Sequence, residues 1–199
     1  MSPELSAHLD AVESIINKAK EILGRQGYPT DLRTVLVGAF IGQTVEHHEA
    51  MLLLIRNGKA GSAFALARGV VENMYRGLWV NFCATPEELE RFEKKDEWKG
   101  TIADAAAAID DKYQADGFFL DLKKRGWKAL NGYAHTGMLQ LGRRYTGQNL
   151  QPNYSDGEII QITTTVTTCA LLLIAKFLAV QNHPDQAKEV EAFVGAHKK

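Results

Sequence analysis

Cysteine and proline are scarce in this chain of 199 residues, which has two of the former and five of the latter. Cys83 and Cys169 sit in apolar surroundings and give neither a disulfide framework nor a zinc-type Cys/His spacing. They read as buried thiols of a reducing compartment, with a single bridge between them as the alternative. Little proline at an ordinary hydrophobic fraction of 45% argues against long disordered stretches. Neither sign of charge prevails, with 23 Lys plus Arg against 24 Asp plus Glu. No global field therefore draws in nucleic acid or anionic membrane, although a local patch stays open. The opening MSPELSAHLDAVESI lacks the basic flank and apolar core of a signal peptide. The longest apolar run, Ala170 to Val180, is interrupted by Lys176 and is too short to span a bilayer. A cytoplasmic protein is expected, with no membrane partner and no DNA-binding motif. A glycine-rich phosphate loop, a serine elbow and a zincin motif are also missing, and no cofactor is implied.

What the sequence has in quantity is helical periodicity. Leu5, Leu9, Val12, Ile16 and Leu23 recur at three-and-four spacing until Gly24, Gly27 and Pro29 end the pattern. A second helix is expected from about Thr30 or Asp31 to Arg56, closed by the Asn57-Gly58 turn. The third, about Lys59 to Cys83, is crowded with small residues, including Gly61, Ala63, Ala67, Gly69 and Gly77. Interior glycine costs a helix roughly 0.5–1 kcal/mol relative to alanine. Close helix–helix approach explains the crowding, and a cavity beside the helix is the alternative.

Thr85-Pro86-Glu87-Glu88 carries a capping box and opens a short helix to about Lys95; another runs from Thr101 to about Lys112. Phe118 to Arg144 is helical in period, with a break expected near Gly126 and a second weak point at Gly132. Ser155 and Glu158 form another box before the β-branched run ITTTVTT. That run keeps helical spacing through Ile159, Ile162, Val166, Cys169, Leu173 and Phe177, so a helix is expected from Asp156 to Gln181. A short helix, about 184–196, closes the chain after a core of about 5–182. No repeat or linker composition is visible. The expected architecture is all-α: one domain over 1–199, a single bundle of about five long helices and two or three short ones.

Two polar constellations stand out. Arg68, Glu72 and Arg76 lie at successive i,i+4 positions on an otherwise apolar helix. They read either as a surface ion-pair ladder or as a cleft network in which Glu72 orients two guanidinium groups toward a phosphate or carboxylate. Asn131 and His135 are also four apart; the imidazole can pass protons near neutral pH, or simply be a hydrogen-bonded boundary residue. Arg143 and Arg144, with Tyr133 and Tyr145, add a candidate anion- or base-binding surface. Adjacent arginines diverge, so at most one can share the histidine's site. Glu46, His47, His48 and Glu49 invite a metal, but four consecutive helical residues splay around the axis. A mononuclear site using Glu46, His47 and Glu49 with Glu72 or His135 is the weaker metal alternative.

The segments SAFALARGVVENMYRGLW and WKALNGYAHTGMLQLGRR resemble the two signature blocks of a bacterial all-helical family without assigned chemistry. Its members carry an arginine-rich, glutamate-containing helix and a later Asn-x-x-x-His segment; the resemblance takes in roughly residues 30 to 180. At longer range the layout is similar to the HEPN superfamily of small helical bundles. That resemblance implies either a non-catalytic, ligand-sensing bundle of bacterial defence or stress response, or a metal-independent endoribonuclease. The superfamily motif places an arginine four to six residues before the histidine, often as Arg-Asn-x-x-x-His. Asn131 and His135 match it, but Leu130 stands at the arginine's place and Arg125 is too far upstream. Only Arg68 or Arg76, reaching His135 through space, could supply the missing charge. A metal-assisted hydrolase is a third reading. RNA or a nucleotide is the expected ligand. A second copy of the chain is the expected partner, with Tyr75, Trp79 and Phe82 as either its docking surface or core.

Overall fold

A computed structural model describes residues 1–98, 100–135 and 137–196. Among them the fold is all-helical: α1 (Pro3–Gly24), α2 (Leu32–Arg56), α3 (Ala60–Phe82), α4 (Pro86–Lys95), α5 (Ile102–Tyr113), α6 (Phe118–Ala134), α7 (Met138–Leu141), α8 (Asp156–Val180) and α9 (Pro184–Ala196). A single 3₁₀ turn covers Gly142–Arg144. α1, α2, α3, α6 and α8 are the long members.

Local chemistry sets most of the starts. The side chains of Ser2, Asp31, Thr85, Thr101 and Ser155 each accept from a first-turn amide, and the last three close reciprocal capping boxes. Such a cap contributes about 1 kcal/mol. α6 begins differently. Its N-cap is Gly117, so Asp110 of α5 supplies the acceptor, taking the amides of Phe119 and Leu120 at 2.9 Å each.

α8 is the central helix, packed by α1, α2, α3 and α9. It is long and apolar enough to cross a membrane, with a mean hydropathy of 1.8 over its most apolar window. Because 61% of that window is buried by its neighbours, the hydropathy is that of a core helix. The threonine run is helical, and its hydroxyls are satisfied by turning back on the helix. Thr163 donates to the Ile159 carbonyl, Thr165 to Gln161, Thr167 to Thr163 and Thr168 to Thr164. Among the described residues, no hydroxyl of this run is buried without a partner.

α2 and α3 run antiparallel through the Asn57–Gly58 turn, and the small residues of α3 answer to close approach. A Cβ on Gly77 would lie 2.7 Å from Leu173 Cδ1 and 3.3 Å from Phe40 Cβ, and one on Gly69 would lie 2.9 Å from His47 Nδ1. α6 lies antiparallel to α3 and packs on α3 and α5. Contrary to expectation, α6 passes through Gly126 and Gly132 unbroken and stops at His135. Nothing crowds Gly126, whereas the Gly137 amide donates to the Gly132 carbonyl at 2.8 Å with the two backbones in near contact. Tight closure of the helix end, rather than a lone interior glycine, sets the break.

Of Tyr75, Trp79 and Phe82, the first belongs to the core and the other two are partly buried and pack against it. Tyr75 is fully buried and its hydroxyl donates to the Phe119 carbonyl at 2.8 Å. Trp79 packs on Trp98 at 4.5 Å and Phe82 on Tyr113 at 4.4 Å between ring centroids.

Candidate functional site

The third-helix stripe opens on a cleft between α3, α5 and α6. Glu72 binds Arg76 at 2.7 Å and Arg68 at 3.5 Å, and all three side chains are about one-quarter exposed. They are therefore neither a solvated ladder nor a sealed core network. The Nε atoms of both arginines are buried without a hydrogen-bond partner among the described residues. The guanidinium carbons lie over indole rings, Arg68 over Trp127 at 5.4 Å and Arg76 over Trp98 at 4.9 Å. An indole against one face leaves the edge of the guanidinium fork as its hydrogen-bonding side.

The same cleft, of about 290 Å³, is also lined by Lys123, Thr101, Ile102 and Ala103. Lys123, Trp127 and Asn131 are four residues apart along α6 and form one stripe facing α3. Asn131 lies beyond the cleft lining, its Oδ1 buried with no hydrogen-bond partner among the described residues. Just past the helix end, His135 is exposed and its Nε2 meets Nη1 of Arg68. A guanidinium has no acceptor, so Nε2 accepts and the ring proton sits on Nδ1. His135 is thus a helix-end residue, held through the Asn131 carbonyl by its backbone amide at 2.9 Å.

The other candidates lie elsewhere. Arg143 is committed to Glu158 of α8, with Nη1 donating to Oε2 at 3.0 Å and Nη2 to Oε1. Burial pushes the Glu158 carboxyl up, but hydrogen bonds from Ser155 and the Arg143 guanidinium hold it below the usual carboxylate range. That pair fastens the 145–155 loop to the start of α8. The Arg144 guanidinium lies against Gly61 at the start of α3, beside the Tyr154 hydroxyl. Tyr133 stands on the other flank of α6, edge-on to Phe64 at 5.0 Å, and lines a separate groove with Arg125 and Thr165. Tyr145 is half exposed in the loop.

The Glu-His-His-Glu run splays as its spacing demands. Glu46 is exposed, His47 lies against Gly69, and Glu49 pairs with Lys20. His48 points into the core, where Nε2 bonds Thr167 Oγ1 at 2.8 Å. No group of three metal-ligating side chains converges among the described residues.

Sequence reasoning found the α3 stripe and the histidine but missed Trp98, Lys123 and Trp127. The spacing of Lys123 and Trp127 to Asn131 was the available signal. Trp98 comes from an irregular connection and carried none.

A family model matches residues 42–199, and its description is Family of unknown function (DUF6988). No curated protein and no solved structure matches the chain.

Proposed function

The chain belongs to this family of unknown function, and from its own geometry we propose that it is a ligand-sensing helical bundle of the HEPN type, binding an anion between α3, α5 and α6. The stripe Arg68–Glu72–Arg76 carries this reading: one carboxylate orients two guanidinium forks at the wall of an open cleft. Such forks suit the oxygens of phosphate or carboxylate. A non-catalytic role is favoured because the Nε2 lone pair of His135 is engaged by Arg68, which leaves that nitrogen unavailable as a base. Calorimetric titration with nucleotides and short RNA tests it. Binding without turnover, weakened at least about tenfold in Arg76→Ala, is expected. Failure of the intact protein to bind any anion would end this reading.

The Arg68–His135 contact also favours a second reading, a metal-independent endoribonuclease. Arg68 takes through space the place that Leu130 leaves empty in the Asn131/His135 segment. An incoming phosphate would draw Arg68 off the ring, freeing His135 for proton transfer while the guanidinium stabilises charge at phosphorus. Cleavage of single-stranded RNA in EDTA, lost in His135→Ala, is the expected result. An inert protein under those conditions rules it out.

A further inference from the structure

We propose that the cleft takes a phosphate monoester with an apolar or aromatic body, in preference to a phosphodiester or a carboxylate. The inference rests on the anion-binding reading above and narrows it.

Charge comes first. Of the charged side chains lining the cleft, Arg68, Arg76 and Lys123 are cations and Glu72 is the one carboxylate. Asp104 is exposed and outside the lining, turned back on Thr101, from whose amide and hydroxyl it accepts at 2.6 and 2.8 Å, and its carboxylate acts through space on Lys123 at the rim of the cleft. Among the described side chains of the lining, three cations against one carboxylate leave a positive surplus that suits a monoester, which carries about −1.5 to −2 at neutral pH. A diester or a carboxylate brings a single charge.

Direction comes second. The donors reach the cleft from three elements: guanidinium groups from α3, an ammonium from α6, and the first turn of α5. In that turn the amides of Ile102 and Ala103 precede the first intrahelical bond, from Ala105 to Thr101. Donors on three sides suit a tetrahedral group with three terminal oxygens better than a planar carboxylate.

Room comes third. The cleft is larger than a phosphate group, and within its largely polar lining Trp98, Trp127 and Ile102 supply an apolar margin beside the guanidinium groups. An apolar or aromatic ligand body could lie against that margin while the phosphate meets the cations.

Calorimetry on the intact chain with phenyl phosphate, methyl phenyl phosphate, benzoate and inorganic phosphate tests the assignment. Phenyl phosphate is expected to bind at least about tenfold more tightly than each of the others. In Lys123→Ala, whose side chain is partly exposed, that preference over the diester should shrink severalfold with the melting temperature unchanged. If the diester or benzoate binds as well as phenyl phosphate, the monoester assignment is overturned while the anion site stands. Equal binding of inorganic phosphate overturns the recognition of an apolar body. If none of the four binds while a nucleotide or short RNA does, the monoester assignment alone falls; if those fail too, the anion-binding reading falls with it.

Discussion

His48 Nε2 donates to Thr167 Oγ1 across 2.8 Å in the middle of the bundle, and Thr167 passes its own proton to the Thr163 carbonyl at 2.7 Å. The hydroxyl is thus an acceptor toward the ring, and Nδ1 is buried with no hydrogen-bond partner among the described residues. Burial lowers the His48 pKa from 6.5 to about 4, against a weaker upward pull from Glu49. The unfolded chain therefore takes up a proton that the folded one refuses. Stability is full above pH 6.5, declines as pH falls toward 4, and the loss from this group levels off at roughly 3 kcal/mol. Urea unfolding at pH 7, 6 and 5 should show the decline. His48→Gln, which keeps a donor for Thr167, should flatten it; an unchanged slope in the variant would refute the assignment.

Glycine on α3 and glycine on α2 should respond oppositely to alanine. At Gly77 the new methyl meets the buried Leu173 and the Cβ of Phe40, so overpacking of about 1–3 kcal/mol outweighs the gain in helix propensity. Gly42 has nothing within 4 Å of the added carbon, and Gly42→Ala should stabilise by about 0.5–1 kcal/mol. Denaturant midpoints of the two variants, moving in opposite directions, are the expected result.

Tyr75→Phe removes one oxygen and with it the buried hydrogen bond to the Phe119 carbonyl. A loss of about 1–2 kcal/mol is expected in chemical unfolding, with the fold unchanged by circular dichroism.

Asp110→Ala removes the acceptor for two amides at the start of α6. A cost of about 2–3 kcal/mol is expected from charge-assisted bonds of this kind. Hydrogen exchange should show protection lost first across Phe118–Leu122, and ligand affinity should fall with it because α6 carries Lys123 and Trp127.

Helix positions and most caps were legible because they depend on neighbours in sequence. The boxes at Thr85 and Ser155 and the helical period through the threonine run are of this kind. The arginine–glutamate stripe was legible for the same reason. What escaped the sequence depends on distant partners. Asp110 caps a helix other than its own, Arg143 pairs with Glu158, and Trp98 reaches the cleft from an irregular connection. The misplaced break in α6 has a related cause: Gly126 looked like an interruption, but only the meeting of Gly132 and Gly137 ends the helix. The aromatics of α3 could be divided between core and surface only once Trp98, Tyr113 and Phe119 were in place.

α6 is pinned at both ends, by Asp110 at its first turn and by the Arg68 contact and the Gly132–Gly137 closure at its last. Between these anchors it acts as a phase-keeping spacer. Each residue added or removed turns everything beyond it by about 100°. One deletion after Leu122 would swing Trp127 off the cleft while leaving its chemistry intact. The length of this helix can therefore drift only in steps of three or four residues, near whole turns, even where the identities of its outward-facing residues are free to vary.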